Sequence, residues 1–167
     1  MLKIGKLAQQ AIAAASYLAE RYDDAGTRVS AAEIADAREL PRPLVAKVLA
    51  QLSLRHITSG TTGPTGGYRL RRSPDKITLF DIVESFERID IRPMCPLGPN
   101  WCGNGDLCPL HDSITQAADQ VVSFLKTQHL GLFAKVGQQA AKRVVKKTTK
   151  KATKKAAKPT LSRRHTR

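Results

Sequence analysis

Between residues 30 and 72 the chain opens one helix, starts another within a few residues, and then runs into two short extended stretches joined by a glycine-rich turn. Few folds accept that order. Ser30-Ala31-Ala32-Glu33 is an S-x-x-E capping box, in which the serine oxygen and the glutamate satisfy orphan N–H groups at a helix start. That helix runs to about Ala37. The next begins near Pro43, where a proline is tolerated in a first turn, and turns Val45, Val48, Leu49 and Leu52 inward. Two short helices about five residues apart read as a helix-turn-helix. Alone, that pattern also describes an ordinary helical hairpin with a solvated charged face. The discriminating residues follow. Ile57-Thr58-Ser59, then Gly60 to Gly67, then Tyr68-Arg69-Leu70-Arg71-Arg72 make a β-hairpin with a basic second strand.

An amphipathic helix precedes these elements, from about Leu2 to Tyr22, with Ile4, Leu7, Ala11, Ile12, Ala15, Leu18 and Tyr22 at helical spacing. Asp23-Asp24-Ala25-Gly26 ends it. Three helices and a hairpin in that order are a winged helix. The predicted fold is therefore mainly α with a small β-hairpin wing, a winged helix-turn-helix over residues 1–90. Its second short helix would be the recognition helix. Arg42 and Lys47 at its start and outer face are then candidates for base edges or phosphates in a major groove, with Gln51 a further candidate. Arg69, Arg71 and Arg72, on or after the wing, are candidates for phosphate contacts.

A capped helix starts at Thr78-Leu79-Phe80-Asp81 and runs to about Arg88, with Leu79, Ile82, Val83 and Phe86 inward. A long helix extends from near Pro109 to about His129, carrying Leu110, Ile114, Ala117, Ala118, Val121, Val122 and Leu125 on one side. The winged helix already accounts for a core, so residues 109–136 are expected to pair with their twin in a homodimer.

All three cysteines lie between those helices, in residues 91–111. Cys95, Cys102, Cys108 and His111 are spaced C-x6-C-x5-C-x2-H among Gly, Pro and Asn, residues that let a backbone wrap around an object. Thiolates and imidazole ligate both zinc and iron-sulfur clusters. Structural zinc usually draws its cysteines in pairs two to four residues apart, so gaps of six and five suit a larger object better. Three free thiols beside an unrelated histidine remain the alternative. Cys108 and His111 are three residues apart, which lets both reach one site across a helical turn.

Charge divides the chain in two. Of its 28 Lys and Arg residues, twelve lie in 141–167 with no acid among them, which leaves sixteen against all 14 Asp and Glu in residues 1–140. The stretch 146–159 repeats a Lys-Lys pair every four residues with nothing apolar to bury, so residues 137–167 are expected to be a disordered basic tail. Within the folded part the excess is local: residues 38–76 hold Arg38, Arg42, Lys47, Arg55, Arg69, Arg71, Arg72 and Lys76 against Glu39 and Asp75. A polyanion would meet this face first, and double-stranded DNA is the expected partner. No apolar run approaches the ~20 residues of a membrane span and no signal-peptide pattern opens the chain, so a cytoplasmic protein without a membrane partner is expected. No nucleophile and base pairing stands out, and Gly63 to Gly67 lacks the lysine of a phosphate-binding loop, which argues against an enzyme or a small-molecule substrate.

Taken together, the wing Gly63-Pro64-Thr65-Gly66-Gly67-Tyr68, the helix after it, the three-cysteine loop and the long helix resemble the IscR and NsrR type of bacterial iron-sulfur transcription regulators. The resemblance covers about residues 1–136. It implies a homodimer that binds palindromic DNA through two winged helices and changes operator affinity with cluster state, so that the expected function is a repressor responsive to redox, nitric oxide or iron-sulfur status. It further implies a [2Fe-2S] cluster on Cys95, Cys102, Cys108 and His111. Relatives with [4Fe-4S] in some cases add an acidic ligand from the first helix of the other subunit, and Leu7-Ala8-Gln9-Gln10 offers no carboxylate, which favours the smaller cluster. Thr62 stands where relatives often place an arginine in the minor groove, so it joins the candidate DNA contacts. Two other readings compete: a small electron-transfer module docking through its basic face, and a cluster-free regulator using its thiols as oxidation sensors.

Overall fold

The computed structural model describes residues 4–23, 25–63, 66–89 and 109–137. The cysteine loop with Cys95, Cys102 and Cys108, the wing tip Pro64-Thr65 and the basic tail from 138 onward lie outside the described residues.

Five α-helices frame the described chain: α1 (Lys6–Glu20), α2 (Ala31–Arg38), α3 (Arg42–Leu54), α4 (Leu79–Glu84) and α5 (His111–Thr127), with residues 131–137 also helical. Strands β1 (Thr58–Thr61) and β2 (Gly67–Leu70) pair antiparallel between α3 and α4, with Thr58 opposite Leu70 and Thr61 opposite Gly67. A 3-10 turn, Pro74–Lys76, leads into α4. No described helix is long and apolar enough to cross a membrane.

Helix α1 presents alanine at five of its eight buried positions: Ala8, Ala11, Ala14, Ala15 and Ala19. Small side chains let α2, α3 and α4 approach its backbone closely, and the larger residues that fill the layer come from those partners. Ile34, Val45, Val48, Leu49, Leu52, Ile57, Leu70, Ile77 and Ile82 form one core with it. Ser30 caps α2 by accepting from the Glu33 N–H, and Thr78 and Asp81 form a reciprocal capping box at α4, so both predicted helix starts hold.

Helix α4 is shorter than the spacing of its apolar residues predicts. It ends at Glu84 instead of about Arg88, because the Ser85 hydroxyl donates back to the Asp81 carbonyl and the next N–H groups close three-residue turns on Ile82 and Val83. Phe86 still packs inward from that turn.

The sheet has a third contributor that alternation did not reveal. Val29 makes a single antiparallel bridge with Tyr68, each N–H donating to the other's carbonyl at 2.9 and 2.8 Å. Thr27 orders the approach to that bridge: its hydroxyl and its N–H both donate to Asp23, which holds that carboxyl below its usual range. The bridge also explains Gly67. This residue has φ +155°, and a Cβ there would lie 2.7 Å from the Val29 carbonyl oxygen. Gly67→Ala is expected to cost about 1–3 kcal/mol through strain and the clash, read as a lowered denaturant midpoint with unchanged slope.

After α5 the chain returns to the winged unit. Leu79 donates its N–H to the Gln128 carbonyl and Leu130 to the Ile77 carbonyl, both at 2.9 Å, and Leu130 is fully buried in the main core. Leu125 joins Ala8 and Val83 in a smaller cluster. The apolar stripe of α5 is thus not wholly spare: Ala118 and Leu125 are buried within the chain, while Ile114, Val121 and Val122 are half-buried and Leu110, Ala117 and Phe124 are exposed.

Candidate nucleic-acid interface

The turn between α2 and α3 takes only Glu39, Leu40 and Pro41. It is tighter than the five residues expected because Glu39 adopts a left-handed conformation, φ 52°, and Leu40 donates its N–H to the Ala35 carbonyl. Pro41 then stands at the N-cap of α3 with no side-chain cap, leaving the first N–H groups of that helix unclaimed by side chains.

Burial sorts α3 into two faces. Val45, Val48, Leu49 and Leu52 are buried, whereas Arg42, Pro43, Ala46, Lys47, Ala50 and Leu54 are exposed. Arg42 and Lys47 therefore share the outer face, as their positions predicted. Gln51 does not join them. Its Nε2 donates to the Ser85 carbonyl just past α4 at 3.2 Å, so the amide is committed to an internal contact instead of reaching for a base.

Arg38, counted in the basic stretch, also turns inward. Its Nη2 meets Glu20 at 2.7 Å and Ser16 at 3.1 Å, its Nε donates to the Ala13 carbonyl, and its guanidinium lies 5.2 Å from the Tyr17 ring centroid. Tyr17 in turn donates its hydroxyl to Glu33. These contacts fasten α2 to α1, and so fix the platform from which α3 projects.

The wing arginines disperse. Arg69 reaches Ser59, its cross-strand partner, through Nε at 3.4 Å; Arg71 approaches Nδ1 of His56 at 3.0 Å; and Arg72 lies 3.9 Å from Asp81 in a half-exposed pair. Thr62 is exposed at the described edge of the wing. Arg28 holds the hairpin from outside it, a role that the pattern of charges did not single out. Its Nη1 lies 3.3 Å from the Gly67 carbonyl and 3.5 Å from that of Ser59, clamping both strands from the segment before α2.

His111 is the first residue of α5, half-buried, behind an N-cap, Leu110, that offers no side-chain acceptor. Among the described residues no three potential ligands of His, Cys, Asp or Glu come together. The donor set of three cysteines and this imidazole, two thiols borne by a Gly- and Pro-rich loop and the last beside the helix start, has the chemistry that an iron-sulfur cluster requires.

Comparison with known proteins follows the same outline. A family model described as Rrf2, iron-dependent transcriptional regulator, matches residues 4–135. A protein of Aquifex aeolicus named as an HTH-type transcriptional regulator is 36% identical over 118 residues, 70% of this chain and 80% of that protein. One from Rhodopseudomonas palustris, named as the HTH-type transcriptional regulator BadM, is 40% identical over 60 residues, 36% of this chain and 38% of that protein. Among solved structures, CymR, the global cysteine regulator of B. subtilis, superposes with a TM-score of 0.67 at 24% identity, covering 81% of this chain and 98% of that one. IscR of T. potens superposes with a TM-score of 0.65 at 22% identity, covering 83% of this chain and 90% of that one. These two likenesses establish the mostly helical, two-stranded winged fold.

Proposed function

The chain belongs to the Rrf2 family of iron-dependent transcriptional regulators, and from that premise we propose that it is a DNA-binding repressor whose operator affinity follows the state of an iron-sulfur cluster. The family is one of transcriptional regulators and not of enzymes. The observation that carries the finer reading is the order of parts: an exposed basic face on α3, a clamped wing, and a three-cysteine loop ending at the half-buried His111.

Cys95, Cys102, Cys108 and His111 are the proposed ligands, with [2Fe-2S] favoured over [4Fe-4S]. Such a cluster, when bound, supplies a one-electron centre whose potential and reactivity depend on its ligands and their surroundings. On the DNA side, Arg42 and Lys47 face the major groove, Thr62 lies along the wing, and Arg69, Arg71 and Arg72 position the duplex through phosphates. Leu110 at the N-cap of α5, Phe124 and the half-buried Val121 within that helix, and the exposed Leu132 and Val136 are apolar surface that a second copy would cover in a homodimer.

Coupling between the two ends has a route in side chains. Ser85 takes the Gln51 amide of α3 on its carbonyl and lies a few residues ahead of the cysteine loop; beyond the loop, α5 packs back on α4. A change of tension in the loop therefore acts on α3 from the end of α4 and on the dimer face through α5.

Protein purified without air should be coloured, and Mössbauer spectra of iron-57 protein should separate [2Fe-2S] from [4Fe-4S]. Cys102→Ala should abolish the visible absorbance while the chain stays folded by circular dichroism. Unchanged colour would remove the ligand assignment, zinc in place of iron would remove the cluster, and a metal-free wild type would leave direct thiol oxidation as the sensing chemistry.

A further inference from the structure

Arg42 holds one contact within the protein that its role as a DNA contact does not require. Its Nη2 lies 3.2 Å from both carboxylate oxygens of Asp36, across the turn between α2 and α3. Both side chains are two-thirds exposed, so the pair adds little to stability. Its effect on geometry is larger. Pro41 and Pro43 bracket Arg42 and fix φ on either side of it, and the first turn of α3 fixes its own backbone. The Asp36 carboxylate then restrains the remaining freedom, which lies in a long side chain with many rotamers. Asp36 itself rides on α2, whose position is set by the Ser30 cap and by the Arg38 contacts to Glu20 and Ser16.

The contact engages Nη2 and leaves Nη1 and Nε without a described partner. Both forks of a guanidinium include Nη2, which carries two hydrogens, so with one of them on the Asp36 carboxylate the fork left at the start of the recognition helix is the second Nη2 hydrogen together with Nη1. Guanine, with O6 and N7 as adjacent acceptors in the major groove, is the base edge that such a fork matches. Among the described residues Arg42 is the guanidinium left at this end of the helix-turn-helix, since Arg38 is bound inward.

We propose that Asp36 is a positioning residue that orients Arg42 to read a guanine in each half-site of the operator. This rests on the reading of the chain as a DNA-binding regulator. Holding the fork in place before binding removes an ordering cost from the complex with guanine and raises the penalty for a base that the fork does not fit.

The full chain, purified without air, would first select duplexes from a randomised pool. Each G·C pair of the selected sequence would then be replaced in turn and the affinities compared. For the wild type, one replacement per half-site should weaken binding tenfold or more. Arg42→Lys, which keeps the charge and loses the fork, should erase that penalty. Asp36→Asn should shrink it to threefold or less, while binding to an unselected duplex stays equal or rises because a negative charge has left the surface. A full penalty in Asp36→Asn would overturn the positioning role, and a full penalty in Arg42→Lys would overturn the guanine contact. A wild type that selects no sequence would overturn the DNA-binding reading itself, before any variant is compared.

Discussion

A chain lacking residues 141–167 is expected to bind duplex DNA with a salt dependence about five log–log units shallower than that of the full chain, while ranking different duplexes in the same order. The segment carries twelve lysines and arginines and no acid, and it lies beyond residues 4–135 that match the family. Each phosphate neutralised contributes a slope of about −0.9 through released counterions, so engagement of half of these charges accounts for the difference. Between 50 and 200 mM salt that slope corresponds to roughly a thousandfold loss of affinity in the full chain. Titrations at three salt concentrations with a selected and an unselected duplex would measure both quantities. If truncation also scrambles the ranking of duplexes, the tail takes part in choosing the site and does more than add a general attraction.

Leu49→Ala should be the most damaging single truncation in the winged core, at about 2–5 kcal/mol. Leu49 is fully buried among residues from α1, α2, the hairpin and the segment after α5. Its carbonyl also accepts from the hydroxyls of Ser53 and Thr58, which hold α3 against the start of β1, so the backbone there cannot easily collapse into the space vacated. A loss of that size lowers the melting temperature by several degrees or more, at about 2–4 °C per kcal/mol for a chain of 150–250 residues and about 4–8 °C for a domain of 60–100. Leu54 is the internal control. It is five residues further along the same helix, on the opposite side, and 74% exposed, and Leu54→Ala should change stability by no more than about 0.5 kcal/mol.

What could be read ahead of the structure was whatever depends on local chemistry. Ser30 and Thr78 cap helices because a short oxygen-bearing side chain before an apolar run has few other uses, and Val45, Val48, Leu49 and Leu52 face inward because their spacing allows one buried face. The side-chain assignments that changed depended on a partner distant in sequence. Arg38 and Arg42 look alike in a basic stretch, and only the placement of Glu20 and Ser16 on α1 draws the first inward. Gln51 is polar on a helix otherwise sorted by burial, and its acceptor lies 34 residues away at Ser85. Val29 forms a strand of one residue, too short for alternation to reveal. Cys95, Cys102 and Cys108, the proposed ligands, stand out in the sequence by their spacing and lie outside the described residues; of the proposed set the fold positions His111.

The burial of Leu130 bears on the order in which the molecule is made. A chain synthesised as far as the cysteine loop already contains α1 to α4 and the wing, yet it lacks the leucine that fills their shared interior and the carbonyl at Gln128 that takes the Leu79 N–H. Domains fold as units during synthesis, and this one lacks part of its core until Leu130 has emerged. The three thiols leave the ribosome ahead of that residue, so there is an interval in which all three have been made and α5 has yet to dock on α4.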